Sequence, residues 1–236
     1  MYLELTDEQS MIVDTTRDFL EKEIYPHEKI VEKTGEVPRE LGAEIARKCK
    51  EIGFFAANFP EELGGGGMNH LEFTLLEREL GRGSNALTVF FGRPSGILMA
   101  CNDLQKDKYL IPAIKGEKFD ALAMTEPGAG SDVRGMECTG QRKGGDWIVN
   151  GTKHFISHAD IADFVIVFIA TGEEETEKGK KKKISCFLVD RDTPGFEICG
   201  GYNSVSHRGY KNCILRFDEC RLSDDQILGE VHRGFD

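Results

Sequence analysis

The sequence lacks a long apolar segment and lacks an excess of basic residues. Its longest uninterrupted apolar run, residues 164–170, is far shorter than the roughly 20 residues that a membrane-spanning helix requires. The N-terminal residues are acidic, whereas a targeting segment would be basic. The formal net charge of −11 argues against the clustered Lys and Arg of a nucleic-acid surface. We therefore expect a soluble protein with neither a membrane nor a nucleic-acid partner.

The sequence also lacks paired cysteines. The seven cysteines form no C-x-x-C pair, and neither they nor the six histidines show the spacing of a metal site. An odd number of cysteines without pairs is typical of reduced, mostly buried thiols. The sequence therefore disfavours disulfides and structural zinc, and we expect no metal ion.

The first half of the sequence has the apolar spacing of amphipathic helices. Thr6 to Gln9 fits a capping box, so a helix is predicted to begin there, with an apolar stripe that reaches Ile24. Pro26 is predicted to kink or end this helix. Further helices are predicted over residues 37–52, 71–80, 86–101 and 104–114.

A run of four glycines, residues 64–67, has two interpretations. Glycine-rich loops can cradle phosphate groups, but a phosphate-binding loop also carries a Lys-Ser/Thr pair and follows a strand, and neither is clear here. We therefore interpret the run as a flexible connector between two helices.

From residue 119 the pattern changes to short β-rich runs separated by turns. In the last run, Cys213, Leu215 and Phe217 share one face, as in a half-buried strand. The nearly all-charged residues 172–183 are predicted to form a solvated, mobile hairpin loop, with a docking patch as the alternative. Strands are predicted at residues 121–124, 147–149, 164–170, 184–189 and 213–222, with turns at Gly144-Gly145 and Asn150-Gly151.

This order of helices followed by strands predicts an α+β fold. An N-terminal all-helical bundle, residues 1–117, would precede a mostly antiparallel β-sandwich or barrel domain, residues 118–236. The absence of β-α-β alternation argues against a Rossmann fold, so a dinucleotide would have to be held in another way.

Residues 123–132, Ala-Met-Thr-Glu-Pro-Gly-Ala-Gly-Ser-Asp, are the most informative segment. They describe a strand end that runs into a glycine-rich turn with exposed backbone N–H groups and hydroxyls. Such a surface suits an anionic or carbonyl-bearing ligand. A tight β-turn capped by Ser131 and Asp132 is the structural alternative.

The segment from Thr125 to Asp132 resembles the signature of the acyl-CoA dehydrogenase family, and the resemblance extends over nearly the whole chain. Ordered motifs at family-like spacing are stronger evidence than a single glycine-rich loop. The further motifs are Pro-Glu-Glu-Leu-Gly-Gly at 60–65, Gln-Lys-Asp-Lys-Tyr-Leu at 105–110, Asn-Gly-Thr-Lys-His-Phe-Ile-Ser at 150–157, Phe-Asp-Glu-Cys-Arg-Leu at 217–222 and Leu-Gly-Glu at 228–230.

The resemblance implies that the β-domain binds FAD. The Thr125 hydroxyl would lie near N1 and O2 of the flavin, where donors stabilise the negative charge that hydride transfer leaves. Ser157 would lie near N5, and Ser131 would lie between the flavin phosphates and the acyl-CoA, so that it also binds substrate. The residues that the resemblance assigns to FAD are Leu122, Ala123, Met124, Thr125, Gly130, Ser131, Phe155, Ile156 and Ser157.

Some positions depart from the family pattern. Phe155 stands where the family usually has Trp, and Ser157 where it usually has Thr, but both keep the chemical type. Arg93 stands where the family carries an uncharged residue or His beside the acyl pocket, so it either meets a polar acyl group or faces outward. Glu126 resembles a structural part of the flavin loop rather than a catalytic base.

The reaction that the resemblance implies is FAD-dependent oxidation of an acyl-CoA, as in fatty acid metabolism, to the trans-2-enoyl-CoA. Electrons would pass to an electron-transferring flavoprotein. The family's catalytic base is a Glu on a C-terminal helical domain that this sequence lacks, so we expect a fragment that is inactive alone and has no catalytic residue of its own. The whole protein is expected to be a homodimer or homotetramer in the cytoplasm, or in the mitochondrial matrix if it is a mature eukaryotic form.

Two alternatives stay open. The first is a flavin oxidase or monooxygenase on the same scaffold. The second is a noncatalytic subunit that binds flavin or acyl-CoA and completes its site with a partner chain.

Overall fold

The computed structural model describes residues 4–177 and 179–235, which form two compact units. The helical unit contains residues up to 93 together with 114–117 and 203–210. The β unit contains residues 94–113, residues 118–202 and the residues from 211 onward. Along the described ranges, no helix combines the length and the apolar character that a membrane span requires.

The helical unit begins with helices α1 (Asp7–Phe19) and α2 (Tyr25–Thr34), joined by a π-helical turn (Leu20–Ile24). The capping box is confirmed, because Gln9 N donates to Thr6 Oγ1 at 3.2 Å and Thr6 N donates to Gln9 Oε1 at 3.1 Å. Pro26 does not end the helical run, because it lies in the first turn of α2, where a missing N–H is tolerated.

The glycine run connects α3 (Arg39–Glu51) to α4 (His70–Leu80), as predicted, but it is closely folded. Gly66 N donates to the Ala56 carbonyl at 3.2 Å and Gly67 N donates to the Phe59 carbonyl at 2.9 Å. A Cβ at Gly65 would lie 2.3 Å from the Phe59 carbonyl oxygen. Close backbone packing therefore accounts for glycine here.

The prediction of one helix over residues 86–101 is wrong. This segment forms the short helix α5 (Asn85–Thr88) and two 3₁₀ turns (Val89–Phe91 and Gly96–Ala100). Gly92 has a left-handed φ of 64°, and Pro94 supplies no N–H, so a continuous helix cannot form. The predicted helix over residues 104–114 is confirmed as α6 (Asp103–Gln105), a π-helical turn (Lys106–Leu110) and α7 (Ile111–Ile114).

The β unit is built on one sheet. Its strands are β1 (Asp120–Ala123), β2 (Thr139–Lys143), β3 (Asp146–Ser157), β4 (Phe164–Thr176), β5 (Gly179–Asp190), β6 (Phe196–Tyr202), β7 (Asn212–Leu222) and β8 (Ile227–Leu228). Their order across the sheet is β6-β7-β3-β2-β4-β5-β8, and β1 pairs with β4. Most pairings are antiparallel, as predicted, while β1 and β2 each run parallel to β4. Trp147, Phe187 and Phe217 are buried in its core.

Of the two predicted turns, one is confirmed and one is wrong. Gly144 and Gly145 connect β2 to β3 with φ of 61° and 94°, as a tight hairpin turn requires. Asn150-Gly151 lies inside β3, opposite a β-bulge in β7. Asn150 exchanges two hydrogen bonds, of 2.9 and 2.8 Å, with Glu219 of the bulge, so its side chain replaces missing ladder contacts.

The prediction of a loop over the charged residues 172–183 is also wrong. Strands β4 and β5 continue through this segment as a two-stranded ribbon, in which Glu173 faces Lys182 and Glu174 faces Lys181. Lys181 Nζ lies 3.4 Å from Glu174 Oε1. Opposite charges on facing strands stabilise the pairing, which explains why so polar a segment forms strands. Lys178 lies outside the described residues.

The predicted burial of the cysteines and of β7 is confirmed. Six of the seven cysteines are buried, and Cys199 is half-buried. In β7, Cys213, Leu215 and Phe217 are buried while Arg216 is exposed. Within the described residues, no group of three or more His, Cys, Asp or Glu side chains is arranged to hold a metal ion.

Candidate functional site

The glycine-rich segment forms a closed turn at the end of β1. Glu126 N donates to the Ala129 carbonyl at 3.0 Å, and Ala129 N donates to the Glu126 carbonyl at 3.2 Å. Before the turn, the Leu122 side chain is exposed and Ala123 is fully buried, as the alternation of a strand requires. The turn therefore leaves the sheet at Met124 and presents Gly130 and Ser131 to solvent.

A buried ion pair fixes this turn to the neighbouring strand β3. Glu126 is 3% exposed and Lys153 is 0% exposed. Lys153 Nζ lies 2.6 Å from Glu126 Oε1 and donates to the Met124 carbonyl at 3.1 Å. The Glu126 carboxylate also accepts the N–H groups of Glu137 and Cys138, at 2.5 and 3.1 Å. These contacts give Glu126 the structural role that the sequence indicated.

Strand β3 contains a bulge next to this ion pair. Lys153 faces Leu215 and Ile156 faces Cys213, so His154 and Phe155 both oppose the single residue Ile214. The extra residue reverses the alternation, which lets Lys153 and Ile156 both point inward. Phe155 has a φ of 55°, and its side chain is 53% exposed. The bulge therefore turns the Phe155 ring out of the core.

The bulge also brings the two predicted halves of the site together. His154 N donates to the Thr125 carbonyl at 2.9 Å, which places the turn of residues 125–131 beside residues 155–157. Ser157 Oγ donates to Asn212 Oδ1 at 3.2 Å. The exposed Phe155 ring and the hydroxyls of Thr125 and Ser157 therefore lie on neighbouring segments of the β unit.

The polar groups of the turn fit a ligand with acceptor atoms. In the described structure, the hydroxyls of Thr125 and Ser131 and the amides of Gly128 and Gly130 have no hydrogen-bond partner. A Cβ at Gly128 or Gly130 would meet nothing within 4 Å, so the space in front of the turn is open. Unpaired donors beside a flat ring suit the edge and face of a flavin, and these residues fit FAD.

Arg191 fixes the loop that follows Ser157. Its Nη1 donates to the carbonyls of Ala159, Asp160 and Ala162 at 3.3, 3.0 and 2.8 Å. No sequence motif marks Arg191. Lys153 did carry a detectable signal, because strand alternation places it on the inward side with the buried Trp147.

Arg93 is not a freely solvated surface residue. Its Nη1 donates to Glu77 Oε2 at 2.6 Å, and its Nη2 donates to the Thr88 carbonyl at 3.3 Å. The side chain is half-buried at a cavity of 690 Å³ inside the helical unit. Contact between Arg93 and a polar acyl group, one of the two alternatives that the sequence left open, stays a hypothesis.

A half-buried carboxyl at the start of β1, that of Asp120, makes stability depend on pH. Asp120 accepts the Ser95 N–H at 3.2 Å, and burial raises the pKa of Asp120 from 3.8 to about 6. A carboxyl with a higher pKa in the folded protein than in the unfolded chain stabilises the fold when protonated. This contribution is complete below pH 3.8 and is lost as the pH rises through about 6.

We therefore expect Asp120→Asn, which keeps an oxygen acceptor, to remove this dependence. Between pH 3 and pH 7 the parent protein should lose about 3 kcal/mol of unfolding free energy relative to the variant. Urea unfolding of both proteins at several pH values measures the difference. A difference between the two proteins that is constant over this range would contradict the assignment.

The comparisons with known proteins agree with these features. The model of the acyl-CoA dehydrogenase N-terminal domain matches residues 6–117, and that of the acyl-CoA dehydrogenase middle domain matches residues 121–220. The human mitochondrial short-chain specific acyl-CoA dehydrogenase is 34% identical over 99% of this chain and 56% of its own length. A caffeyl-CoA reductase–Etf complex subunit of Acetobacterium woodii is 32% identical over 98% of this chain and 60% of its own.

A solved structure shows the same fold. A glutaryl-CoA dehydrogenase from Mycobacterium smegmatis, in complex with FADH2, superimposes with a TM-score of 0.81 and 27% identity, over 95% of this chain and 56% of that one. The chain thus spans 56–60% of the length of these proteins. With two family models that together match most of its residues, this chain belongs to the acyl-CoA dehydrogenase family.

Proposed function

We propose that this chain binds FAD in its β unit, and that the protein to which it belongs is an oxidoreductase that converts an acyl-CoA to the trans-2-enoyl-CoA. The observation that carries this proposal is the open face beside the Thr125–Ser131 turn. There, hydroxyls and amides without partners in the described structure lie on a turn that is hydrogen-bonded to His154, the neighbour of the exposed Phe155. Membership in the acyl-CoA dehydrogenase family supports the same cofactor.

The polar residues of the site would bind and orient the cofactor. The Thr125 hydroxyl would donate to the pyrimidine edge of the flavin, and Ser157, already fixed by Asn212, would face N5. Gly130 and Ser131 would offer amides and a hydroxyl to the phosphates, since their side of the turn is open. When bound, FAD would supply the hydride acceptor for the reaction.

The apolar residues would act in two ways. Leu122, Met124 and Phe155 have exposed or half-buried side chains that would cover the ring system and exclude water. Ala123 and Ile156 have buried side chains, so they would contribute only backbone atoms. The assignment of these residues to FAD is a proposal that a structure of the complex would test.

The α-proton of the substrate requires a base that the described site does not supply. Glu126 is 3% exposed and holds Lys153 and two backbone amides, so its carboxylate is not accessible to a substrate. We therefore place the base, a Glu, outside this chain, in keeping with the 56–60% of the relatives' length that it spans. Turnover of an acyl-CoA by the 236-residue chain alone, with an artificial electron acceptor, would contradict this placement.

For the whole protein we propose an electron-transferring flavoprotein as the acceptor and a homo-oligomer as the assembly. The relative from Acetobacterium woodii is named as a subunit of a reductase–Etf complex, which supports this kind of partner. Its name also describes the opposite direction, reduction of an unsaturated acyl-CoA.

The test is an anaerobic titration of the whole flavoprotein with a panel of acyl-CoAs, followed by its visible spectrum. Bleaching by saturated acyl-CoAs would identify the substrate class, and reoxidation of the reduced protein by an enoyl-CoA would reveal the reverse reaction. Rapid oxygen consumption with peroxide release would instead indicate an oxidase. A protein that binds flavin but responds to none of these compounds would contradict the proposal and favour a noncatalytic subunit.

A further inference from the structure

Beside the proposed flavin face, Tyr202 at the end of β6 forms an aromatic cluster with Phe155 and His154. The Tyr202 and Phe155 rings have centroids 4.6 Å apart and planes at 40°. The Phe155 and His154 rings are 4.2 Å apart, and the Tyr202 hydroxyl lies 3.5 Å from His154 Nδ1. Both outer rings therefore contact the one ring that the proposed function places on the cofactor.

The sheet contains a second bulge that places Tyr202 on this face. On β6, Ile198 faces Leu215 and Gly201 faces Cys213, so Cys199 and Gly200 both oppose Ile214. Ile214 is also the residue that opposes the bulge of β3. The two bulges thus lie on either side of the same residue of β7.

Without its bulge, β6 would keep the ordinary alternation and Tyr202 would point to the opposite face of the sheet. With the bulge, Tyr202 lies in register with Asn212, which in turn lies in register with Ser157. Ser157, Asn212 and Tyr202 therefore form one row across three strands. The two bulges therefore place the side chains of Phe155 and Tyr202 on the same outer face of the sheet.

The Phe155 ring needs such support. Phe155 is 53% exposed and has a left-handed φ, so the core does not hold its side chain in place. An aromatic neighbour at 4.6 Å restricts the ring by stacking. Tyr202 is itself 40% exposed, so its burial in the core does not explain its position.

We propose that Tyr202 is a positioning residue, which holds the Phe155 ring in the orientation that contacts FAD. This inference rests on the proposed function, because it needs FAD at this face. Tyr202 would act through Phe155 and would have no contact of its own with the reacting atoms.

The test compares FAD affinity and the visible circular dichroism of bound flavin in matched variants, at a temperature well below unfolding. Tyr202→Leu should weaken FAD binding by about two- to tenfold and change the dichroism, since an aromatic pair is lost. Tyr202→Phe keeps the ring and should match the parent. Tyr25→Leu, at a tyrosine that is 38% exposed in the helical unit, is the control and should also match the parent.

A double-mutant cycle shows whether Tyr202 acts through Phe155. In a Phe155→Leu background, Tyr202→Leu should have no further effect on either measurement. Equal FAD affinity and dichroism in the parent and Tyr202→Leu would overturn the inference. A full additional loss of FAD affinity when Tyr202→Leu is added to Phe155→Leu would also overturn it, and so would a loss of FAD affinity in Tyr202→Phe. A parent protein that binds no FAD would overturn the proposed function itself, and this inference with it.

Discussion

Replacement of Lys153 by methionine should lower the free energy of unfolding by about 3–5 kcal/mol. The variant leaves the Glu126 carboxylate buried at 3% exposure without the ammonium group 2.6 Å away. It also removes the donor to the Met124 carbonyl, so the Thr125 turn loses one of its attachments to β3 and keeps the hydrogen bond from His154 N. Urea unfolding measures the loss, and FAD affinity should fall with it because the turn is held less firmly.

Two variants act as controls for this prediction. Lys143→Met changes an exposed lysine of β2 and should alter stability by less than about 0.5 kcal/mol. Lys153→Met combined with Glu126→Gln should be more stable than Lys153→Met alone, because the residue left in the core is then uncharged. If Lys153→Met costs no more than Lys143→Met, the ion pair does not hold the turn.

Replacement of Gly151 by alanine should cost about 4 kcal/mol of unfolding free energy. Gly151 has a φ of 147°, which costs a residue with a side chain about 1–3 kcal/mol. Its new Cβ would lie 2.6 Å from the Cys138 Cα, and such overpacking adds roughly 1–3 kcal/mol. The backbone of β3 must shift in response, upstream of the bulge that carries Phe155.

The matched control is Gly96→Ala, since a Cβ at Gly96 would meet nothing within 4 Å. Its stability should stay within about 0.5 kcal/mol of the parent. Thermal or urea unfolding compares the three proteins. Similar stabilities for the Gly151 and Gly96 variants would show that the backbone at residue 151 has more room than the structure indicates.

Local sequence signals predicted the elements whose chemistry is local. The capping box at Thr6, the alternation of β7 and the Gly144-Gly145 turn each depend on residues a few positions apart, and each is confirmed. Errors arose where a partner distant in sequence decides the structure. Asn150-Gly151 has the residues of a turn, but pairing with β7 keeps it in a strand, where Glu219 satisfies the Asn150 side chain.

The charged ribbon shows the same limit. Residues 172–183 have the composition of a loop, yet each Glu of β4 faces a Lys of β5, and this matching of charges is visible only once the register is known. In residues 86–101, the apolar spacing predicted one helix and gave no sign of the break at Gly92. The division of the chain into domains at residue 117 stays a prediction.

The candidate site was predictable as a set of residues but not as a geometry. The motif at 123–132 and the strand at 150–157 identified both segments that the structure brings together. The bulge at His154 and Phe155 has no sequence marker, because both residues also fit an unbulged strand. Without the bulge, strand alternation from Lys153 would bury Phe155 and expose Ile156, which is the reverse of what the structure shows.

The bulge in β3 gives two adjacent residues, Phe155 and Ile156, different roles. Ile156 contributes volume to the core, whereas Phe155 contributes none, because its ring stands outside the sheet packing. A change of ring size at residue 155 therefore leaves the packed interior untouched. A different aromatic ring at this position can change what the face binds while the buried core of the sheet stays the same.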